Sequence, residues 1–261
     1  MLSNWKDMRL YDLTQPVGIL TPPWPTYEPL TMKFFKRQSP NGANGQILTH
    51  SNHVGTHLDG PLHFCTHGGD IASLSLDYLV GEGVIVDLSD IAEDYDIYTS
   101  KDIEDRVEVK EGDILLINTG YHRYAWDQPE ADEMRYMVKH PGPLREFADW
   151  CIEKKIRYLG VDCGSADHPM NTKIREWQPK EAAKCETFLK GKYGKGYDEL
   201  MPDADYQVMH IPLFPKNIIH IENLGGEIDE VLNKRLVIGC FPWRLVGGES
   251  CICRVVAFDD K

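Results

Sequence analysis

Four side chains that could bind a metal lie close together in the stretch 53–65: His53, His57, Asp59 and His63. All four positions are odd. Side chains alternate between the two faces of an extended chain, so wherever this stretch is extended the four emerge on one side. Neutral imidazole nitrogen and carboxylate oxygen together suit Zn, Mn or Fe(II), whereas an all-oxygen set would favour Ca or Mg. The spacing therefore predicts a transition-metal site.

The residues between these side chains indicate a loop with a defined shape. Gly55 and Gly60 allow tight backbone bends, and Pro61 restricts the chain just before His63. Five of the ten histidines lie between positions 50 and 67. The Gly-Thr and Gly-Pro pairs among them are typical of a buried segment, which favours a metal site over a histidine-rich surface loop.

The order of residues from His53 to Phe64, H-x-G-T-H-x-D-x-P-x-H-F, resembles the signature of a known family. This is the metal-dependent cyclase family that includes bacterial kynurenine formamidase and isatin hydrolase. The resemblance extends over nearly the whole chain. Its other matching blocks are Asp12-Leu13-Thr14, Pro23-Trp24-Pro25, Leu115 to Tyr121, Leu159 to Asp162 with Ser165 and Asp167, and Ile219 to Leu224.

The resemblance implies a complete set of metal ligands. By this carry-over, His53, His57 and Asp59 bind a first ion. His210 and Glu222, twelve residues apart, complete the site. Asp59 and Glu222 could bridge to a second ion, so one or two ions of Mn²⁺ or Zn²⁺ are expected. His220 would share a strand face with Glu222 and orient it.

The resemblance also implies roles in catalysis and substrate binding. His63 would be the general acid/base, taking a proton from water and returning it to the departing nitrogen; histidine chemistry alone leaves open that His63 is a further ligand. Trp24 would contact the substrate, and Phe64, Phe214 and Trp243 could add to an apolar wall. The matching block of Asp162, Ser165 and Asp167 is expected to have a structural or supporting role.

Length, composition and charge limit the classes of protein. The chain has 261 residues, of which 42% are hydrophobic and 26% charged, as expected for a single domain spanning 1–261. Its net charge of -13 argues against nucleic-acid or anionic-membrane partners and leaves a small-molecule substrate. Residues 1–9 do not resemble an export signal, and seven cysteines without framework spacing suit reduced thiols, so a cytoplasmic protein is expected. The family resemblance implies a homo-oligomer, a dimer or larger.

Hydrophobic patterns predict more strands than helices. Strands are expected at Arg9–Leu13, Met32–Phe35, Gln46–Asn52, Val84–Leu88, Ile114–Asn118, Tyr158–Asp162, Ile218–Glu222, Leu236–Gly239 and Cys251–Phe258. Helices are expected after Thr99, which forms a capping box with Asp102, from Gly142-Pro143 onward, and over Glu227–Asn233. This pattern predicts an α/β protein with a curved mixed sheet. The resemblance implies a swivelling β/β/α-type fold with a barrel-like sheet.

Two features of the sequence allow more than one interpretation. Residues 170–207 are rich in Lys, Glu, Gly and Tyr and could be a lid, an interface arm or a solvated surface excursion. Cys251 and Cys253 could bind a metal, but in a strand-like segment two cysteines packed on one face are favoured.

The combined pattern predicts a metal-dependent hydrolase that opens a non-peptide carbon–nitrogen amide bond. An N-formyl arylamine and a cyclic imide or isatin-like lactam are the leading substrates. Because 170–207 is longer than the corresponding part of the shortest kynurenine formamidases, the lactam or imide is favoured. A lactone hydrolase, a metal-assisted cyclase or dehydratase, and a non-catalytic metal-binding protein are the alternatives. His63 argues against the last, since a binder needs no proton shuttle.

Overall fold

A sheet that closes on itself forms the centre of the protein, for which a computed structural model describes residues 7–260. Residues 1–6 and residue 261 lie outside that range, and with them most of the stretch 1–9 that was predicted not to be an export signal. The strands are β1 (Met8–Asp12), β2 (Thr31–Lys36), β3 (Gly45–Thr49), β4 (His57–Asp59), β5 (Val80–Asp87), β6 (Ile97–Tyr98), β7 (Ile114–Asn118), β8 (Gly142–Pro143), β9 (Tyr158–Val161), β10 (Ile219–Glu222), β11 (Lys234–Pro242) and β12 (Ser250–Asp260).

Seven of these strands close the sheet, in the order β12, β11, β5, β7, β9, β10, β4 and back to β12. β1 pairs with the far end of β12. The strands β5, β7, β9 and β10 run parallel, and the pairs that involve β4, β11 and β12 are antiparallel. Every residue of β7 is buried, as expected for a parallel strand covered on both faces. The predicted α/β class and barrel-like mixed sheet are confirmed.

The helices are short except for one. They are α1 (Gln38–Asn41), α2 (Leu76–Leu79), α3 (Ser100–Glu104), α4 (Arg145–Glu153), α5 (Ile174–Trp177), α6 (Pro179–Tyr193) and α7 (Tyr197–Leu200). The capping box predicted at Thr99 and Asp102 begins α3. The helix predicted over Glu227–Asn233 is a single 3₁₀ turn, Ile228–Val231. Within residues 7–260 no helix combines the length and the apolar character needed to cross a membrane.

The helix predicted to open at Gly142-Pro143 begins instead at Arg145. Gly142 and Pro143 form β8, which pairs in parallel with β6. A Cβ atom at Gly142 would lie 2.3 Å from the His168 Cα, so the glycine is required by close backbone packing rather than by a helix start. The predicted apolar stripe of the helix is present, with Phe147 among its buried residues.

The segment 170–207 is largely helical and packs into the core. Helix α6 buries Ala182, Cys185 and Leu189, which lie three and four residues apart and so share one helix face. Its other face carries the charged residues that gave the segment its polar composition. Because it contributes to the core, a purely solvated excursion is wrong. Residues at both ends of the segment face the cavity described below.

Cys251 and Cys253 alternate along β12 and are both buried, in agreement with the predicted packing on one strand face. All seven cysteines, at positions 65–253, are free thiols. The hairpin of β2 and β3 stands apart from the closed sheet and is exposed along most of its length.

Candidate metal centre

Strand β4 carries two of the predicted ligands between two partner strands. In the antiparallel pairing with β10, His57 lies opposite Glu222 and Asp59 lies opposite His220. Residues opposite each other on an antiparallel pair share a face, and so do alternate residues of one strand. The register therefore brings all four side chains to the same face of the sheet.

The stretch from His53 to His63 contains one strand, β4, and is not extended throughout. Gly55 has φ +63°, and a Cβ atom there would lie 2.4 Å from Val17 Cγ2, so the chain bends at this residue. Pro61–His63 form a 3₁₀ turn. The alternation of side chains therefore accounts for His57 and Asp59, whereas the two bends return His53 and His63 to the neighbourhood of Asp59.

The most buried cluster joins Asp59, His210, His220 and Glu222, each of which offers a ligand atom within 4.8 Å of the others. His210 Nε2 lies 3.1 Å from His220 Nε2 and 3.7 Å from Asp59 Oδ2. His220 Nε2 lies 3.5 Å from both the Asp59 and Glu222 carboxylates. Two imidazole nitrogens and two carboxylates thus converge on one point inside the protein.

A second cluster shares Asp59 with the first. His53, His57 and Asp59 also bring their ligand atoms within 4.8 Å of one another. His53 Nδ1 and His57 Nε2 lie 3.0 Å and 3.4 Å from Asp59 Oδ1. His57 Nε2 also lies 3.6 Å from Glu222 Oε2, so each carboxylate faces both clusters. A bridged pair of ions would use this arrangement.

The donor atoms fit a divalent transition metal. His57 Nε2 and Asp59 Oδ1 are buried without a hydrogen-bond partner among the described residues, which is costly unless something else binds them. The Nδ1 atom of His57 lies 2.8 Å from the carbonyl oxygen of Gly55, so Nδ1 holds the proton and Nε2 keeps its lone pair. Imidazole nitrogen with carboxylate oxygen is the set that Zn²⁺ and Mn²⁺ accept.

Two of the ligand imidazoles and the pair of carboxylates also suit a cation. Burial lowers the pKa of His57 to about 4 and that of His220 to about 4, so both rings are neutral near pH 7. Burial and the Asp59 charge raise the pKa of Glu222 to about 8. Burial would also raise the pKa of Asp59, but the charges of His53 and His63 outweigh it and hold this pKa well below its ordinary value. A divalent cation would relieve the conflict between the two carboxylates.

A cavity of about 240 Å³ opens beside the cluster. Its walls are largely aromatic: the Trp24 and Trp177 rings meet edge to face at 5.5 Å between centroids, and Tyr27 packs against Trp24. The cavity is lined by Trp24, Tyr27, His53, Asp59, His63, Phe64, Ser165, Lys173, Trp177, Tyr206, Gln207, His210 and Glu222. An aromatic space therefore ends at the candidate metal ligands.

Comparison with known proteins assigns the chain to a family. The family model Cyclase matches residues 11–168, which include the whole stretch from His53 to His63. The chain belongs to the Cyclase family. The family match therefore covers β4, β5, β7 and β9, and the remaining ligand candidates come from the chain beyond it.

Within this Cyclase family, curated relatives are named kynurenine formamidase. The relative from Bacillus cereus is 29% identical over 206 residues, which cover 77% of this chain and 88% of that protein. The relative from Erythrobacter litoralis is 26% identical over 215 residues, covering 81% and 90%.

The fold of this Cyclase-family chain is shared with solved isatin hydrolases. Isatin hydrolase A from Ralstonia solanacearum has a TM-score of 0.74 at 18% identity, over 97% of this chain and 92% of that chain. Isatin hydrolase A from Labrenzia aggregata, bound to benzyl benzoate, has a TM-score of 0.75 at 18% identity, over 98% and 95%. At this identity the likeness concerns the fold.

The structure brings together all eight predicted site residues of this Cyclase-family protein: His53, His57, Asp59, His63, His210, Glu222, Trp24 and Phe64. Trp243, proposed for the same wall, is 66% exposed and lies outside the cavity. Phe214 is buried against the His63 and His210 rings, behind the cavity rather than in its lining.

Two residues of the site, Trp177 and Glu249, were not predicted from the sequence, and the role of His220 was predicted only in part. His220 faces Asp59 and Glu222 together, so it is a candidate ligand rather than only a residue that orients Glu222. Asp167, which was expected to have a structural or supporting role, contacts the His210 ring, and Trp177 forms part of the aromatic wall. Glu249, in the turn before β12, contacts His53 and His63. The alternation of His220 with Glu222 was a usable signal, whereas no spacing in the sequence indicates Glu249.

Proposed function

We propose that this protein is a metal-dependent hydrolase that cleaves a carbon–nitrogen amide bond in a small aromatic substrate. The observation that carries the proposal is the convergence of buried imidazoles and carboxylates around Asp59, at the end of a cavity walled by Trp24 and Trp177. The kynurenine formamidases among its relatives support the same chemistry.

The proposed ligands of Mn²⁺ or Zn²⁺ are the two groups that share Asp59. One contains His53 and His57, and the other contains His210, His220 and Glu222. A bound ion would supply polarisation of the substrate carbonyl and acidification of water, which hydrolysis of an unactivated amide requires. Binding of one or of two ions is compatible with this set.

His63 is the proposed acid and base of the reaction. It lines the cavity at the edge of the ligand cluster, and its ring centroid lies 4.4 Å from that of His53. From there His63 takes a proton from the attacking water and returns one to the leaving nitrogen. Imidazole suits both transfers because its unperturbed pKa is near neutral.

The aromatic walls support a flat substrate. The rings of Trp24 and Phe64 line the cavity together with Trp177 and Tyr206 of the 170–207 segment. Planar arenes gain from such contacts through burial of area and ring–ring geometry. An N-formyl arylamine, an isatin-like lactam and an aromatic cyclic imide all fit this description.

A substrate screen tests the proposal. The protein, reconstituted with Mn²⁺ or Zn²⁺, is incubated with N-formylanilines, isatins, cyclic imides and aryl lactones, and products are measured by mass spectrometry. Uptake of one water by an amide supports the proposal. Loss of one water from a substrate would identify a cyclase or dehydratase, and turnover of lactones alone would identify an esterase-type enzyme.

A further inference from the structure

Glu249 occupies a fixed position beside the candidate site although it belongs to none of the motifs. It lies in the turn between β11 and β12, directly before Ser250, which pairs with Asp59. The Gly60 amide donates to the Glu249 carbonyl oxygen at 2.8 Å, and the Asn52 side-chain amide donates to Oε1 at 3.2 Å. Backbone and side chain are therefore both anchored to the stretch that carries the metal ligands.

The other carboxylate oxygen of Glu249 meets two imidazoles. Oε2 lies 2.8 Å from His53 Nε2 and 2.7 Å from His63 Nδ1. The two rings lie 4.4 Å apart between centroids and are tilted by 37°. A single oxygen atom thus joins a candidate metal ligand to the candidate proton shuttle.

In each ring, the nitrogen that is not in contact with Glu249 is the one needed for the proposed role, which is metal binding for His53 and proton transfer for His63. His53 keeps Nδ1 toward Asp59, at 3.0 Å. His63 keeps Nε2, which has no hydrogen-bond partner among residues 7–260. In His63, where only Nδ1 meets a carboxylate, that carboxylate holds the proton on Nδ1 and leaves Nε2 as the acceptor.

We propose that Glu249 is the positioning residue of His63: its carboxylate holds the proton on Nδ1 and orients the ring so that Nε2 is the atom that exchanges protons with substrate and water. Glu249 itself touches no substrate. The inference rests on the proposed role of His63. It assigns Glu249 to orientation and not to metal binding, although His53, His63 and Glu249 could hold an ion by distance alone.

The kinetic test is a double-mutant cycle between Glu249→Ala and His63→Ala, in protein loaded with Mn²⁺ and assayed on the best amide of the screen. Residues that orient a functional side chain typically contribute about 10- to 100-fold to activity. Glu249→Ala should therefore lower kcat by about that factor and leave KM within about twofold of the wild-type value. Glu249→Gln, which keeps an oxygen acceptor, should lose less than Glu249→Ala. In the His63→Ala background, Glu249→Ala should cost nothing further.

A spectroscopic test does not depend on activity. The ¹⁵N signals of the His63 ring, assigned by their disappearance in His63→Ala, should show the proton on Nδ1 in the wild type and a mixture of tautomers in Glu249→Ala. Glu130→Gln serves as a matched control, because Glu130 is exposed and lies outside the site. It should change neither kcat nor the His63 signals.

Three outcomes would overturn the inference: an unchanged His63 tautomer in Glu249→Ala, losses that multiply in the double variant, or a fall in metal content that parallels the fall in activity. A failure of the proposed function would give a different experimental result. Wild-type protein with full metal and no amide turnover would refute the amide-hydrolase proposal, while the tautomer measurement would still decide the role of Glu249.

Discussion

The Asp167 carboxylate lies 2.5 Å from Nδ1 of His210, and both side chains are buried. This contact turns the other ring nitrogen, Nε2, toward Asp59. Carboxylates that orient a ligand histidine typically contribute 10- to 100-fold to metal affinity. We therefore expect Asp167→Asn to weaken Mn²⁺ or Zn²⁺ binding by about that factor, as measured by competition with a fluorescent chelator.

Asp162→Asn is the matched control for this prediction. Asp162 is buried in the same loop, but it accepts hydrogen bonds from Thr119 and His122 and does not face the metal ligands. Its replacement should lower the free energy of unfolding and leave metal affinity unchanged. Equal metal affinity in wild type and Asp167→Asn would show that His210 needs no such support.

Asp59 and His57 should be indispensable for metal binding. Asp59 belongs to both ligand groups, and the Nε2 atom of His57 is buried without a protein partner. We expect His57→Ala or Asp59→Ala to abolish retention of metal through gel filtration, because each change removes a ligand. Elemental analysis measures this. His67→Ala, an exposed histidine of the same stretch, should retain full metal content; full occupancy in the first two variants would refute the site.

Glu222→Gln should lower metal retention and turnover in the metal-loaded protein but raise the stability of the metal-free protein. With metal, we expect retention and turnover to fall together, since an amide is a poorer, uncharged ligand. Without metal, the pKa of Glu222 is raised by burial and by Asp59 to about 8 from its ordinary 4.5. The folded state then holds a proton that the unfolded chain releases, so stability falls as pH rises across this window.

The variant cannot lose that proton, so metal-free Glu222→Gln should become progressively more stable than metal-free wild type from pH 5 to about pH 8. Urea midpoints at several pH values, with chelator present, measure the difference. A constant difference across this window would mean that Glu222 is already ionised in the folded protein.

His63→Ala should separate a proton shuttle from a metal ligand. A shuttle contributes about 10²- to 10⁴-fold to kcat, so we expect a loss of that size with metal content unchanged. Metal stoichiometry and kcat are measured on the same preparation. A parallel loss of metal and activity would make His63 a ligand instead.

Trp24→Ala should raise KM more than it lowers kcat. A ring wall contacts substrate and transition state about equally, so its loss weakens binding without removing chemistry. Trp243→Ala is the control, because this tryptophan is exposed and outside the cavity. If Trp24→Ala fails to fold while Trp243→Ala is normal, Trp24 serves the core and not the substrate.

The parts of the site that could be predicted from the sequence are those encoded in local spacing. His53, His57, Asp59 and His63 lie within eleven consecutive residues, so bends in the chain could not separate them far. The strands followed from runs of apolar residues, and Ile114–Asn118 has the predicted bounds. His210 and Glu222 were predicted only through the family resemblance, because their approach to Asp59 depends on which strands pair.

The residues that were missed depend on tertiary contacts. Glu249 reaches His63 only because β12 pairs with β4, and a glutamate after two glycines carries no sign of that pairing. Trp177 contacts Trp24 across more than half the chain. In α6 the small apolar residues Ala182 and Cys185 are hidden among lysines and glutamates, so the composition resembled a surface segment.

Strand β4 is only three residues long, yet it is the strand that joins β10 to β12 and so completes the ring of the sheet. Four proposed ligands lie on the two strands of one of its pairings: His57 and Asp59 on β4, and His220 and Glu222 on β10. An ion with ligands on both β4 and β10 would bind only while these two strands are paired, so metal binding would also stabilise the closed sheet. Substitution of Leu58, an apolar β4 residue that is not a proposed ligand, would weaken the pairing of β4 and should therefore lower metal affinity as well.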